Sequence, residues 1–208
     1  MSLTFYFAPM STASVTALVL EELGIPCERV KLDLKKGDTK NPDFTKLNPN
    51  AKVPTLVHDG VPIWESAAIT MYLGETFGVD KGLYPAAGPR RGEAMKWIVW
   101  ANVTLGGAVA RWALHAQEWA PADERNAKAG EAGRQEMLGC LRILDGALEG
   151  RSYLVGERYS LADAHVLSFV DWLQHMKVDL APFPNVKAWF TRGSARSAYA
   201  RQAAADRA

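Results

Sequence analysis

Two short stretches hold most of the chemistry open to this chain. From Asn48 to Leu73 the sequence reads NPNAKVPTLVHDGVPIWESAAITMYL. Within it, Glu65-Ser66 falls where a strand-like run gives way to a helical one. The first N–H groups of such a helix have no internal partner and carry the positive end of its dipole. They suit a carboxylate, with the Ser66 hydroxyl as a further donor, while Glu65 suits an ammonium. A group with both charges, such as the α-amino acid end of a small molecule, fits this pair; equally, either residue could simply cap the helix. Eleven residues before Glu65, Pro54 opens a strand, where its missing N–H is tolerated at an edge. Val53 is biased to extended backbone by the proline after it. With a cis bond between them, the N–H and C=O of Val53 would face outward and pair with a short peptide as an added strand. Only about 5–6% of X–Pro bonds are cis, so spacing alone favours trans. The second stretch, FYFAPMSTASVT at residues 5–16, brings the hydroxyls of Tyr6, Ser11, Thr12 and Ser14 to the entry of a helix.

The elements that must position these residues follow from periodicity and breakers. Leu3 to Phe7 is aromatic and extended, and Val15 to Leu23 is helical, stopped by Gly24 and Pro26. Arg29 to Leu34 alternates as a half-buried strand, Lys35 to Asp38 is a turn, and Asp43 to Leu47 is a short helix. Val53–Val57 and Val61–Trp64 form a hairpin through His58-Asp59-Gly60, and Ser66 to Phe77 is a helix. The order is β-α-β-α-β-β-α. From Pro89 the strand signals vanish. Glu93 to Glu118 keeps helical spacing, loosened at Gly106-Gly107. Asn126–Leu148 carries Met137, Leu141, Leu144 and Leu148 on one stripe. Leu161–Met176, Asn185–Phe190 and an Arg-bearing, Ala-rich tail complete the chain. The reading is an α/β domain over residues 1–79, a linker over 80–88 with Gly82, Pro85 and Gly88, and an all-α domain over 89–208.

Composition bounds the function. The 208 residues are 48% hydrophobic and 23% charged, enough for a chain of this size to bury roughly 70% of its unfolded surface without staples. The 24 basic and 23 acidic residues leave a formal net charge of +1, so there is no basic field for nucleic acid. No apolar run approaches the roughly 18 residues of a membrane span, and no signal peptide is visible. Cys27 and Cys140 lack metal or redox spacing and read as small core residues; a cytoplasmic location is expected. His58, His115, His165 and His175 show no ligand spacing, so no metal is expected. Arg192, Arg196, Arg201 and Arg207 read as a solvated helical face.

Val53-Pro54 followed by Glu65-Ser66, in this order of elements, resembles the cytosolic glutathione transferase family. The similarity covers nearly the whole chain. YFAPMSTASVTALVLEELGIP resembles that family's first strand, active-site loop and first helix. GERYSLADA, residues 156–164, resembles its C-terminal folding motif, with Ser160 and Asp163 at capping-box spacing. The resemblance implies a thioredoxin-like N-terminal domain that binds glutathione as co-substrate, and a helical domain lining the pocket for a small hydrophobic electrophile. It implies a cis Val53–Pro54 bond, with the Val53 backbone pairing the cysteinyl part of glutathione. It gives Glu65 and Ser66 the γ-glutamyl ammonium and carboxylate. Lys52, beside Val53, reaches the glycyl carboxylate or remains solvated, with Asn50 a weaker candidate. The family's dimers imply a homodimer, to which Phe44 or Met71–Tyr72 could contribute.

Conjugation needs the glutathione thiolate, and a thiol with pKa about 8.5 is only a few per cent ionised at pH 7. One hydrogen bond to a charged acceptor, about 1.5–3 kcal/mol, lowers that pKa by roughly one to two pH units. Serine-type members of the family place their hydroxyl two residues after the loop proline, here Ser11. Cysteine-bearing bacterial members place theirs three after it, here Thr12. Ser11 is the first candidate, although it too could only cap the following helix, and Thr12 is the second. Tyr6 faces away from Phe7 and reads as structural. Met10, Trp100, Thr104, Gly107 and Arg111 are expected around the electrophile, with detoxification the implied role. Two other readings use the same residues: a binding module without catalysis, and peroxide reduction by bound glutathione.

Overall fold

The computed structural model describes residues 2–117 and 120–205. Strands β1 (Leu3–Phe7), β2 (Glu28–Lys31), β3 (Thr55–His58) and β4 (Val61–Trp64) form one mixed sheet in the order β2-β1-β3-β4. β1 runs parallel to β2 and antiparallel to β3, and β3 and β4 form the expected hairpin. Asp59 (φ 46°) and Gly60 (φ 84°) are both left-handed at its turn, as a two-residue connection matched to strand twist requires. Helices α1 (Ala13–Leu23), α2 (Pro42–Leu47) and α3 (Ser66–Leu73) complete a thioredoxin-like unit.

Helices α4 (Pro89–Trp100), α5 (Gly106–Ala116), α6 (Ala127–Ala147), α7 (Leu161–His175), α8 (Pro184–Ser194) and α9 (Ser197–Ala205) form the C-terminal unit. A single apolar core joins the two. Its bridge is α1, whose Val15, Leu18, Val19, Leu20 and Leu23 are buried and which packs on α3, α7 and α9. Burying each such side chain contributes about 1.5–3 kcal/mol. The linker is anchored as well: the ring of buried Tyr84 lies where a Cβ on Gly74 would be 2.6 Å away, and the Leu83 carbonyl accepts the Leu161 N–H at 2.8 Å.

Four expectations are corrected. β2 ends at Lys31 instead of Leu34 and is largely exposed. It pairs only with β1, whose last carbonyl, on Phe7, accepts the Leu32 N–H. The Asp33 carboxylate then turns the chain by accepting the N–H groups of Lys35 and Lys36. The helix from Ser66 narrows its regular part to Leu73 and widens to a π turn over Gly74–Gly78, where glycine admits Tyr84. The helix expected over Glu93–Glu118 begins at Pro89 and is interrupted by a π turn at Ala101–Leu105, just ahead of Gly106; Glu118 lies outside the described residues. A Cβ on Gly106 would sit 3.0 Å from Phe169, so that glycine serves packing.

The arginines of the tail are not a merely solvated face. Arg196 makes two 2.7 Å hydrogen bonds to Glu22 of α1 and lies 3.9 Å over the Tyr159 ring. Arg201 reaches Glu21 at 2.7 Å, and Arg192 donates to the Ser152 carbonyl. These contacts clasp the C-terminal segment to α1. Arg207 lies outside the described residues.

Candidate functional site

The loop before β3 is organised by a residue that sequence reasoning passed over. Buried Asn48 donates from Nδ2 to the Lys52 carbonyl (2.8 Å) and to Thr55 Oγ1 (3.0 Å). Its Oδ1 accepts the backbone N–H of Asn50 (3.0 Å) and its side-chain amide (3.1 Å). With every hydrogen-bonding position used, Asn48 fixes the loop that delivers Val53-Pro54, and that bond is cis. The Val53 N–H donates to no described residue, and its carbonyl accepts only the Thr12 hydroxyl, at 3.3 Å. One extended residue is thus left open to an added peptide. Lys52 is exposed beside it, while the Asn50 amide is held by Asn48.

Glu65 occupies the turn from β4 into α3 at φ 71° and ψ 115°, and makes no capping bond. Among the described residues its exposed carboxylate has no partner, so capping is not its role. Ser66 begins α3, is buried, and its Oγ accepts the Asn102 Nδ2 at 2.9 Å. An exposed carboxylate therefore stands beside a hydroxyl at a helix N-terminus, the pairing that an α-amino acid group needs.

The loop hydroxyls divide by direction. Ser11 Oγ donates to the Ala8 carbonyl at 2.7 Å and accepts the Ala13 N–H at 3.2 Å. Its proton is committed within the loop, and its oxygen caps α1. Thr12, the residue before α1, sends its hydroxyl across the cleft to Val53. The N–H groups of Ser11 and Thr12 donate to no described residue. Ser14 Oγ donates back to the Ser11 carbonyl at 2.9 Å. Tyr6 meets Phe44 edge-on at 5.7 Å on the other side of the sheet, in keeping with a structural role.

Of the residues expected around an electrophile, Met10 is exposed, with φ 54°. It lines a cavity of about 280 Å³ together with Ser14, Asp171, Trp172, His175 and Tyr199. Trp100 packs edge-on against Trp97 at 5.2 Å, and Arg111 pairs with Glu136 at 2.6 Å. Thr104 and Gly107 are exposed, and nothing lies within 4 Å of a Cβ built on Gly107. The thiols are not activated. Burial pushes Cys27 up to about 11, and burial also raises Cys140.

The folding motif of the C-terminal unit is fully engaged. The Asp163 carboxylate accepts the N–H groups of Leu154 and Ser160, the Ser160 hydroxyl and the Trp189 Nε1–H, all at 2.9 Å. Burial pushes its carboxyl upward, opposed by these four donors. Two further residues that sequence reasoning gave no role, Asn102 and His165, meet at 2.6 Å behind Ser66.

Comparison with known proteins matches this geometry. Residues 1–75 match the glutathione S-transferase N-terminal domain and residues 107–197 the glutathione S-transferase C-terminal domain. The chain is 33% identical over 183 residues to glutathione S-transferase GstB of Escherichia coli K12, covering 87% of each. It is 30% identical over 194 residues to glutathione S-transferase D7 of Drosophila melanogaster, covering 90% of this chain and 82% of the fly protein. A glutathione transferase from Burkholderia graminis, with two glutathione molecules bound per subunit, superposes with a TM-score of 0.86 at 27% identity, over 97% of this chain and 87% of that one. A sphingomonad glutathione S-transferase complexed with glutathione gives 0.85 at 26% identity, over 98% of each.

Proposed function

This chain belongs to the glutathione S-transferase family, and we propose that it joins the glutathione thiolate to a small hydrophobic electrophile through the residues described above. The observation that carries the reading is the open Val53 backbone facing Thr12, with Glu65 and Ser66 at the head of α3. Glutathione lies extended along Val53, held by two backbone hydrogen bonds at its cysteinyl unit. Its γ-glutamyl ammonium meets Glu65 and the adjacent carboxylate meets Ser66 and the α3 N-terminus. Lys52 faces the glycyl carboxylate.

The sulfur then lies near the Thr12 hydroxyl and the unengaged N–H groups of Ser11 and Thr12. These donors, with the N-terminus of α1 behind them, stabilise the thiolate over the thiol. Thr12 is the better donor because Ser11 must first give up its 2.7 Å bond to Ala8, whereas Thr12 holds its proton in a longer 3.3 Å bond. Turning Ser11 costs about 1 kcal/mol, which offsets much of what a bond to the thiolate returns. The thiolate attacks the electrophilic carbon. The leaving group departs with the bonding pair, or, in an addition, the product takes up a proton from water.

The electrophile rests on Met10 and enters the neighbouring cavity towards Trp172, His175 and Tyr199. Trp100, Thr104, Gly107 and Arg111 form a second wall, supported by the open space over Gly107. A volume of about 280 Å³ suits a compact molecule. The exposed Val61 and Trp64 of β4, with Val99 and Val103 of the α4 region, support a homodimer; Phe44 is buried against Tyr6 and is not available for it. Two free thiols suit a reducing cytoplasm, and such conjugation would serve detoxification. The experiment is product analysis after incubation with glutathione and activated aryl halides, enones and epoxides. A glutathione conjugate of at least one class is expected. Tight glutathione binding with no conjugate from any class would contradict the reading.

A further inference from the structure

Behind Ser66 a chain of hydrogen bonds runs out of the N-terminal unit and back into it. Asn102 Nδ2 donates to Ser66 Oγ at 2.9 Å. Asn102 Oδ1 faces His165 Nε2 at 2.6 Å, and His165 Nδ1 faces Thr70 Oγ1 at 2.9 Å. Asn102 sits in the π turn between α4 and α5, His165 in α7, and Thr70 one helical turn beyond Ser66 in α3. Thr70 and His165 are fully buried and Ser66 nearly so.

The direction of these bonds follows from the last of them. Thr70 Oγ1 has His165 as its one side-chain partner among the described residues. If the imidazole donated to it, the threonine proton would be stranded in a dry interior, at the full cost of desolvating an unmade hydrogen bond. Thr70 therefore donates, and His165 Nδ1 accepts. A neutral imidazole then carries its proton on Nε2, and burial, which pulls His165 down to about 3, keeps it neutral. The Nε2–H donates to Asn102 Oδ1, and this orients the amide so that its NH₂ faces Ser66. Asn102 thereby fills an acceptor position on the serine and leaves the Ser66 proton free to point elsewhere.

We propose that Asn102 and His165 are positioning residues that hold the Ser66 hydroxyl as a donor towards the γ-glutamyl carboxylate, so that the helical domain sets glutathione affinity in the other domain. The proposal rests on the reading of Ser66 given above. Without the relay, the serine proton turns to whichever acceptor replaces the amide. Asn102→Asp makes that acceptor explicit: its carboxylate takes the Ser66 proton and adds a negative charge near the ligand's own.

The test is calorimetric binding of glutathione to four variants, with steady-state kinetics and thermal unfolding alongside. Ser66→Ala checks the underlying reading; an unchanged Kd there removes Ser66 from the site and the proposal with it. Given a weakened Ser66→Ala, Asn102→Asp raises Kd by about tenfold or more. Its kcat at saturating glutathione changes by less than about threefold, since only ground-state binding is lost. His165→Phe alone strands the Thr70 hydroxyl and lowers Tm. The double variant His165→Phe/Thr70→Val removes both buried polar groups and recovers stability, yet still binds glutathione about five- to tenfold more weakly. A purely structural role for the relay predicts that binding returns with Tm in the double variant. That outcome, or a folded Asn102→Asp with unchanged Kd while Ser66→Ala is weakened, overturns the proposal.

Discussion

The hydroxyl of Thr12 donates to the carbonyl of Val53 across 3.3 Å, joining the entry of α1 to the cis-proline turn 41 residues later. Both ends of this bond belong to the surface where a bound cysteinyl unit must lie. A ligand that pairs with Val53 competes for it, which releases the Thr12 proton to an incoming sulfur.

Thr12→Val keeps the shape of the side chain and deletes that proton. Steady-state kinetics with an activated aryl halide should show kcat/KM lower by about tenfold, the lower end of what a hydrogen bond to a charged atom supplies. Ser11→Ala removes an oxygen that caps α1 and should cost about 1 kcal/mol of stability, read by denaturant unfolding. Its effect on turnover should be the smaller of the two. A Ser11→Ala variant that loses more activity than Thr12→Val would return the catalytic role to Ser11.

Glu65 stands at φ 71° without any capping bond. Its charge is therefore separable from the fold. Glu65→Gln should leave Tm unchanged and raise the glutathione Kd by about tenfold, the cost of an ion pair reduced to a neutral hydrogen bond. A fall in Tm with unaltered affinity would mean that the carboxylate serves the turn and not the ligand.

Asp163 gathers four donors from three segments of the chain. Asp163→Ala leaves them all in a dry interior, and urea unfolding should report a loss of about 3–5 kcal/mol, or no folded protein. A loss below about 1 kcal/mol would show that water reaches these donors.

The buried imidazole of His165 gives stability a definite pH dependence. Its ordinary value is 6.5 and burial lowers it to about 3 in the fold. Between those values the unfolded chain binds the proton and the native chain does not. The stabilisation from a neutral His165 is therefore complete above about pH 6.5 and is lost as pH falls towards 3, by up to about 1.4 kcal/mol per pH unit. Tm measured from about pH 7.5 to about pH 4.5 should fall more steeply in the native protein than in His165→Phe/Thr70→Val. Parallel curves would show that His165 titrates normally.

Local signals made most of the fold legible. Gly24, Asp59-Gly60 and Asn126 each act within a few residues, and each ends or starts its element as expected. The π turns at Gly74 and Ala101 were not legible, because they answer to Tyr84 and Phe169, which approach from elsewhere in the chain. The same division runs through the site. Glu65-Ser66 and Val53-Pro54 stood out because their neighbours in sequence give them a role. Asn48 is hidden in an ordinary loop composition. Asn102 and His165 lie 36 and 99 residues beyond Ser66, and a lone histidine in an apolar helix carries no mark of what it faces. The tail arginines were misread for the same reason: their partners, Glu21 and Glu22, lie at the opposite end of the chain.

The account stands on activation of a bound thiol, and the most direct measurement is the pH titration of glutathione bound to the protein, followed by thiolate ultraviolet absorbance. The donors around Thr12 predict a thiol pKa at least about one pH unit below the free value of about 8.5, moving back towards it in Thr12→Val. Glutathione that binds with its thiol at the free value would contradict the catalytic assignment.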